Sequence, residues 1–314
     1  MNEDRNMILE VHELAHLYGD TAALQGLSFG VKAGEIFGLL GPNGGGKTTL
    51  FRILSTLLKP DAGRASIRGH CVVSESEAVR RQIGVVFQSP SLDLQLTVRE
   101  NMRHQGHLYG IRGADLETRI DEMLDQVGVR DREGELVRNL SGGLQRRIDL
   151  AKGLMHRPSL VLLDEPTTGL DPGARLDLWS YLERARSEQG LSVLITTHLM
   201  EDADRCDRLL FLDRGQAAAL DSPEALRQSL GGDVVTIRAG DLDNLASELS
   251  TKFGQSSEKV DDTLRVRRAG GPEFVPQLFE AFPGQIDAVS VGRPTLEDVF
   301  MQKTGHRLWD RDGD

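Results

Sequence analysis

The chain has 314 residues, a formal net charge of -11 and a pI near 5.3. It is long enough to bury a full core, and we expect one large domain with a smaller one. The acidic balance argues against broad binding to phosphate backbones, because nucleic-acid readers usually carry a basic face, so no nucleic-acid partner is expected. Two cysteines, Cys71 and Cys206, are too few for a disulfide framework and fit a reducing compartment.

The amino-terminal residues show no basic-then-apolar signal pattern, and no apolar run approaches the ~18 residues that are needed to span a bilayer. We therefore expect a cytoplasmic protein whose role at a membrane would depend on a partner.

The first apolar runs, Ile8 to Val11 and Leu27 to Val31, are predicted to be edge strands of an added antiparallel sheet. A more apolar strand, Ile36 to Leu40, leads into a glycine-rich loop at residues 41–48, and a helical run, Thr49 to Leu57, follows that loop. This order of strand, glycine-rich loop and helix is typical of a phosphate-binding site.

Glycines in the loop let backbone N-H groups surround phosphates, while the N-terminus of the helix adds positive potential. We expect Lys47 to hold the β- and γ-phosphates of a nucleoside triphosphate and Thr48 to ligate Mg²⁺ through its hydroxyl. The alternative is a glycine-rich turn with a solvated lysine. The predicted nucleotide-binding residues here are Gly41, Pro42, Asn43, Gly44, Gly45, Gly46, Lys47, Thr48 and Thr49.

A second predicted strand, Ile83 to Phe87, ends at Gln88. From Ser89 to Asn139, helical patterns at Val98 to Tyr109 and Leu116 to Val127 with no strand between them predict a helical insertion. The insertion extends over about residues 89–156 when the next helix, Leu144 to Met155, is included.

The apolar strand Leu160 to Leu163 runs into two acids, Asp164 and Glu165, at the same sheet edge as the phosphate loop. We expect Asp164 to bind magnesium directly or through water and Glu165 to act as general base on the attacking water. Taken alone, the same residues would equally fit a polar strand end before a turn at Pro166. Further predicted strands, Val193 to Thr196 and Leu209 to Leu212, complete an α/β sheet.

The run Leu140-Ser141-Gly142-Gly143-Leu144-Gln145, placed far downstream of the phosphate loop, resembles the signature of the nucleotide-binding subunits of ATP-binding cassette (ABC) transporters. The resemblance covers roughly residues 8 to 230. It implies a P-loop NTPase cassette at residues 1–231, with a RecA-like core, an antiparallel β subdomain and a helical insertion. Gly45 and Leu144 depart mildly from the usual family pattern, and neither departure removes a catalytic group.

The resemblance also implies roles for single residues. Ser141, Gly142 and Gly143 would contact the γ-phosphate held by the opposite subunit, and a capped helix N-terminus suits an anion. Alone, they would be read as an ordinary capped helix.

Four other residues match family positions. Gln88 matches the glutamine loop, which touches magnesium or water, and His198, after a strand, matches the switch histidine that contacts the γ-phosphate. Asp171 matches the loop at the dimer seam and also suits an N-cap of the helix starting at Pro172. Tyr18 lies where the family places an aromatic ring against adenine, although packing at a sheet edge explains it equally well.

The remaining residues, 232–314, predict a small α+β domain after a linker at Gly231-Gly232. A short helix precedes that linker, with Ser222 as its N-cap, and residues 309–314 are expected to be frayed. The predicted elements are the strands Val234 to Arg238, Thr263 to Arg268 and Ile286 to Val291 and the helices Leu242 to Lys252, Phe274 to Ala281 and Leu296 to Lys303. The end of the chain is similar to cassette subunits of bacterial drug-resistance and sodium-export systems, the daunorubicin-exporter type, in which this would be an accessory domain for dimerisation or regulation.

The sequence therefore predicts an ATP-hydrolysing subunit that works as a homodimer and powers an integral membrane permease at the inner face of the cell membrane, with export favoured. One alternative is a soluble cassette ATPase acting on nucleic acid or ribosomes. Another is a regulatory cassette that binds ATP without turnover.

Overall fold

The computed structural model describes residues 6–306, so the expectation for residues 309–314 lies outside the described part of the chain. The chain forms two compact units that divide between Leu220 and Asp221. Up to this division the elements are β1 (Met7–Tyr18), β2 (Thr21–Lys32), β3 (Ile36–Leu40), α1 (Lys47–Leu54), β4 (Ala62–Ile67), β5 (His70–Cys71), α2 (Ser76–Gln82), β6 (Ile83–Val86), α3 (Val98–Leu108), α4 (Gly113–Gln126), α5 (Gly142–Leu154), β7 (Leu160–Asp164), α6 (Pro172–Gln189), β8 (Ser192–Thr197), α7 (Met200–Ala203), β9 (Arg208–Asp213) and β10 (Gln216–Asp221).

The large sheet has the strand order β10-β9-β3-β8-β7-β6, and the strands from β9 to β6 run parallel. Strands β3 and β8 are buried along their whole length, as expected for parallel strands that are covered on both faces. Parallel strands end at the same edge of a sheet. The segments after β3, β6, β7 and β8 therefore converge, and they carry the phosphate loop, Gln88, Glu165 and His198.

The smaller antiparallel sheet has the order β2-β1-β4-β5, which corrects one prediction. The strand that contains Ile8 to Val11 is not an edge strand, because β4 pairs with its other side, so Leu9 lies between Val31 and Ile67. The sequence of β4, Ala-Gly-Arg-Ala-Ser-Ile, lacks an apolar run, and this strand was therefore not predicted. The prediction that Leu27 to Val31 forms an edge strand is correct.

The helical insertion is present where the sequence predicts it. Helix α3 begins with a capping box between Thr97 and Glu100, and α4 follows after a short turn. Apolar side chains at helical spacing on α4, among them Ile120 and Leu124, are buried, which explains why this segment folds as a helix.

The second unit consists of α8 (Pro223–Gln228), β11 (Asp233–Ala239), α9 (Leu242–Phe253), β12 (Ser257–Val260), β13 (Thr263–Arg268), α10 (Gly271–Ala281), β14 (Ile286–Gly292) and α11 (Leu296–Thr304). Its sheet has the antiparallel order β12-β13-β11-β14, and a core that includes Val266 and Phe274 joins the sheet to α9 and α10. The short polar strand β12 was not predicted, whereas the expected Ser222 N-cap is present.

Candidate nucleotide-binding site

The phosphate loop requires glycine at two positions for different reasons. A Cβ atom at Gly41 would lie 2.1 Å from the carbonyl oxygen of Leu212, so a side chain cannot fit there. Gly46 has a φ of 105°, a left-handed conformation that L-residues rarely adopt, and it directly precedes α1. The loop therefore turns tightly enough to present the first N-H groups of α1, which have no acceptor within the helix, to an anion.

Lys47 is buried at the start of α1, and its Nζ donates hydrogen bonds to the carbonyl oxygens of Gly41 (2.6 Å) and Pro42 (2.9 Å). Burial lowers the pKa of Lys47, and the negative charges of Glu165 and Asp164 oppose this shift. The ammonium group thus lies inside the loop and near both carboxylates.

Asp164 ends β7 and pairs in the sheet with Thr196 of β8, whose Oγ1 donates a 2.6 Å hydrogen bond to Asp164 Oδ1. Burial raises the pKa of Asp164 above its ordinary value, although the Thr196 hydrogen bond and the Lys47 charge pull it down. A cation at this carboxylate would offset the cost of its burial.

Glu165 is the residue around which the predicted catalytic side chains meet. Its Oε2 lies 3.1 Å from His198 Nδ1, and Gln88 Nε2 and Thr168 Oγ1 each donate to the same oxygen at 3.4 Å. The Glu165 backbone has a φ of 44°, and its N-H donates to the carbonyl oxygen and hydroxyl of Thr196 at 3.2 and 3.0 Å. A non-glycine residue in this region is strained, and such strain is concentrated at functional sites.

The signature residues lie at another helix N-terminus of the same chain. Ser141 caps α5, and its hydroxyl accepts a 3.4 Å hydrogen bond from the N-H of Leu144. Asp171 caps α6 and accepts from Ala174 N at 3.0 Å. Gly143 lies against this second helix, because a Cβ there would be 3.3 Å from Ala174 Cβ. Within residues 6–306, no hydrogen bond joins either cap to the phosphate loop.

Tyr18 is at the end of β1, where 47% of it is exposed. Its ring packs edge-on against His16 at a centroid distance of 4.7 Å, and His16 Nδ1 lies 3.0 Å from Asp61 Oδ2. The exposed face of the ring is compatible with stacking against adenine. The contact with His16 supports the alternative, packing at the sheet edge.

Three polar residues that the sequence did not single out support the site. Besides Thr196, they are Arg146, whose guanidinium donates to the carbonyl oxygens of Asp164 and Pro166, and Asp202, which is fully buried. Their partners are mostly backbone groups or residues distant in sequence. A pattern of neighbouring residue types therefore contains no direct signal for them.

The oxygen donors Thr48, Gln88 and Asp164 are of the hard type that Mg²⁺ prefers. In the described range, no group of three or more His, Cys, Asp or Glu side chains is arranged to hold a metal ion. This donor set fits magnesium, which commonly binds with one or two carboxylates together with substrate phosphates and water.

None of the helices in the described residues is long and apolar enough to cross a membrane.

Comparison with known proteins agrees with this geometry. The ABC transporter family matches residues 24–168, and the C-terminal domain family of DrrA1-3-like ATP-binding proteins matches residues 222–304. The daunorubicin/doxorubicin resistance ATP-binding protein DrrA of Streptomyces peucetius is 36% identical over 99% of this chain and 96% of its own length. The Nod factor export ATP-binding protein I of Burkholderia lata is 40% identical over 93% of this chain and 95% of its own length.

Solved structures show the same cassette fold. The chain is similar to cbiO1 from Clostridium perfringens, part of an ABC transporter complex, with a TM-score of 0.67 and 27% identity over 80% of this chain and 97% of that one. It is also similar to the dimeric post-hydrolysis state of the cassette MJ0796 bound to ADP and Pi, with a TM-score of 0.63 and 27% identity over 68% of this chain and 98% of that one. The predicted resemblance and fold are confirmed, and the chain belongs to the ATP-binding subunits of ABC transporters, a family of enzymes that hydrolyse ATP.

Proposed function

We propose that two copies of this chain enclose two ATP molecules, each held between the phosphate loop of one copy and the signature of the other, and that closure drives an export permease. The observation that carries this proposal is the division of the site within one chain. Lys47 and Glu165 lie together at the sheet edge, whereas Ser141 caps a separate helix. Both regions suit phosphate, so a second copy would complete each site.

In this dimer, Lys47 binds the β- and γ-phosphates, and the backbone of residues 41–49 surrounds them. Thr48, Gln88 and Asp164 would hold Mg²⁺, which would supply positive charge next to the phosphates. His198 of the same subunit contacts the γ-phosphate. The partner subunit contributes the signature residues Ser141, Gly142 and Gly143 and the seam residue Asp171.

Glu165 is the proposed general base, because its carboxylate lies at the end of β7 beside Lys47 and is oriented by three neighbours. It accepts a proton from the attacking water as the oxygen of that water attacks the γ-phosphorus, and the bond from that phosphorus to the bridging oxygen of ADP breaks. Thr168 and Gln88 donate to the same Glu165 oxygen, so the second carboxylate oxygen is the one available to the water.

The test is the Glu165→Gln variant of the full chain. It keeps side-chain shape and should bind ATP with unchanged affinity, while hydrolysis falls by ~10²- to 10⁴-fold because the base is lost. Size-exclusion chromatography with light scattering should then detect an ATP-dependent dimer. Ser141→Arg should prevent that dimer, and the exposed control Glu188→Gln should leave both hydrolysis and dimerisation unchanged.

Wild-type turnover by Glu165→Gln would refute the assigned base. An ATP-loaded chain that stays monomeric throughout the turnover measurement would refute the shared site.

The partner is proposed to be an integral membrane permease that docks on the part of the helical insertion around Gln88 to Asn139, at the inner face of the cell membrane. Export of drugs, lipids or other small molecules is supported by the full-length similarity to proteins named for drug resistance and Nod factor export. We also propose that residues 1–231 form the nucleotide-binding domain and residues 232–314 the accessory domain. Stimulation of hydrolysis by a co-purified permease, and not by DNA or RNA, would test the partner class.

A further inference from the structure

Arg146 lies on the signature helix α5 and is only 5% exposed. Its guanidinium donates to three backbone carbonyl oxygens, those of Pro166 (3.0 Å from Nε), Asp164 (3.1 Å from Nη2) and Phe87 (from Nη1). The planar fork of an arginine can hold several acceptors in fixed directions, which a lysine cannot do.

These carbonyls belong to the residues next to two site residues. Asp164 and Pro166 flank Glu165, whose backbone has the strained φ of 44°, and Phe87 directly precedes Gln88. A strained residue keeps its conformation only when its surroundings hold it. The hydrogen bonds of Arg146 lie on both sides of this strained position.

The same helix holds the glutamine loop at a second point. Asp149 accepts hydrogen bonds from the N-H and hydroxyl of Ser91, at 3.1 and 2.8 Å, and Lys152 Nζ donates to the Ser91 carbonyl oxygen. Asp149 Oδ2 also lies 3.7 Å from Arg146 Nη1, so the Asp149 carboxylate partly balances the charge of the buried guanidinium. The segment that carries Gln88 is therefore attached to α5 before and after that residue.

We propose that Arg146 is a positioning residue for ATP hydrolysis: it fixes the direction of the Glu165 carboxylate, both through the backbone on either side of Glu165 and through Gln88, which donates to that carboxylate. This rests on the proposed function, in which Glu165 is the general base. None of these Arg146 hydrogen bonds goes to a residue of the phosphate loop. Loss of Arg146 should therefore reduce turnover and leave nucleotide affinity unchanged.

The experiment uses the full chain with Arg146→Met, which keeps the length of the side chain, and Arg146→Lys, which keeps its charge. Each is made alone and with Glu165→Gln. Arg103→Met is the matched control, because the Arg103 guanidinium also donates more than one hydrogen bond, in this case to the two carboxylate oxygens of Glu117, but lies in the helical insertion. Steady-state kinetics, fluorescent-nucleotide binding and single-turnover hydrolysis over hours are measured for every variant, with thermal unfolding as the fold check.

Arg146→Met should lower kcat by ~10- to 100-fold with KM and nucleotide Kd changed less than about 2-fold, because small misplacements of reacting groups have effects of this size. Arg146→Lys should lie between Arg146→Met and wild type, and Arg103→Met should match wild type. In the Glu165→Gln background, the further loss caused by Arg146→Met should be under about 2-fold, since a residue that acts through Glu165 has nothing left to position.

Equal fold-losses in both backgrounds would overturn the proposal, as would a rise in KM at constant kcat. If Arg146→Met fails to fold, Arg146→Lys decides on the same criteria. Wild-type turnover by Glu165→Gln alone would overturn the base assignment and this inference together, whereas failure of the non-additivity alone leaves the proposed function intact.

Discussion

Asp202 offers a sharp test of how the site is held together. Its side chain is fully buried, and Oδ1 accepts a 2.8 Å hydrogen bond from Trp179 Nε1. Oδ2 accepts from the hydroxyls of Thr197, at 3.2 Å, and Thr167. Asp202→Ala removes the acceptor of all three donors at once.

The expected loss of stability depends on whether those three donors can find other acceptors. A hydrogen bond to a charged group contributes about 1.5–3 kcal/mol, and a buried donor left unpaired costs about 1–3 kcal/mol. The two threonine hydroxyls can rotate toward other acceptors, whereas the indole N-H of Trp179 has a fixed direction. We therefore expect Asp202→Ala to lower the free energy of unfolding by about 3 kcal/mol, or ~6–12 °C in Tm for a unit of this size. Asp202→Asn should cost about 1 kcal/mol, because its amide oxygen can still accept from the indole.

Function should fall as well, because Thr167 is in the turn after Glu165 and Thr197 directly precedes His198. Urea unfolding followed by circular dichroism and single-turnover hydrolysis measure the two effects. The control is Glu201→Ala, the neighbouring residue, whose exposed ion pair with Arg175 should contribute less than about 1 kcal/mol. If Asp202→Ala proves as stable as Glu201→Ala, the network contributes little and the reasoning fails.

Burial lowers the pKa of His156 from 6.5 to about 4, while its Nε2 donates to the Ile83 carbonyl oxygen. The unfolded chain therefore binds this proton first, so stability is complete above pH 6.5 and falls as the pH drops toward 4, by at most about 3 kcal/mol. His156→Gln should flatten this acid dependence in urea titrations between pH 7 and 4, whereas the exposed control His107→Gln should retain it; identical slopes for the two variants would contradict the assignment. Gly41→Ala should abolish binding of fluorescent ATP, because the Leu212 carbonyl lies 2.1 Å from the added Cβ, and near-native affinity would show that the loop relaxes easily.

Much of the fold was predictable because its signals are local. The strand Ile36 to Leu40 and the helix after the phosphate loop have apolar runs or periodicity that identify them directly. The helix cap at Ser222 is indicated by Ser222 and the proline that follows it. Strand β4 was missed because its sequence is small and polar, and its strand conformation comes from pairing with β1. Such tertiary pairing overrides intrinsic preference.

The meeting of three predicted site residues was predictable for the same reason. Gln88, Glu165 and His198 each follow an apolar strand, so the geometry of a parallel sheet brings them together. Arg146 and Asp202 could not be found in this way, since they hold backbone carbonyls and hydroxyls from segments that only the folded chain brings near them.

The choice of serine at the signature follows from the same hydrogen-bond chemistry. The Ser141 oxygen accepts from the N-H of Leu144 at 3.4 Å, which leaves its hydroxyl proton free to donate outward. Capping a helix and donating to a partner's γ-phosphate are therefore compatible in one side chain. Asp171 uses the same capping geometry, but a carboxylate has no proton to donate and would repel a phosphoryl group. In the proposed dimer, this difference suits Ser141 to donate a hydrogen bond to ATP and Asp171 to accept hydrogen bonds at the dimer seam.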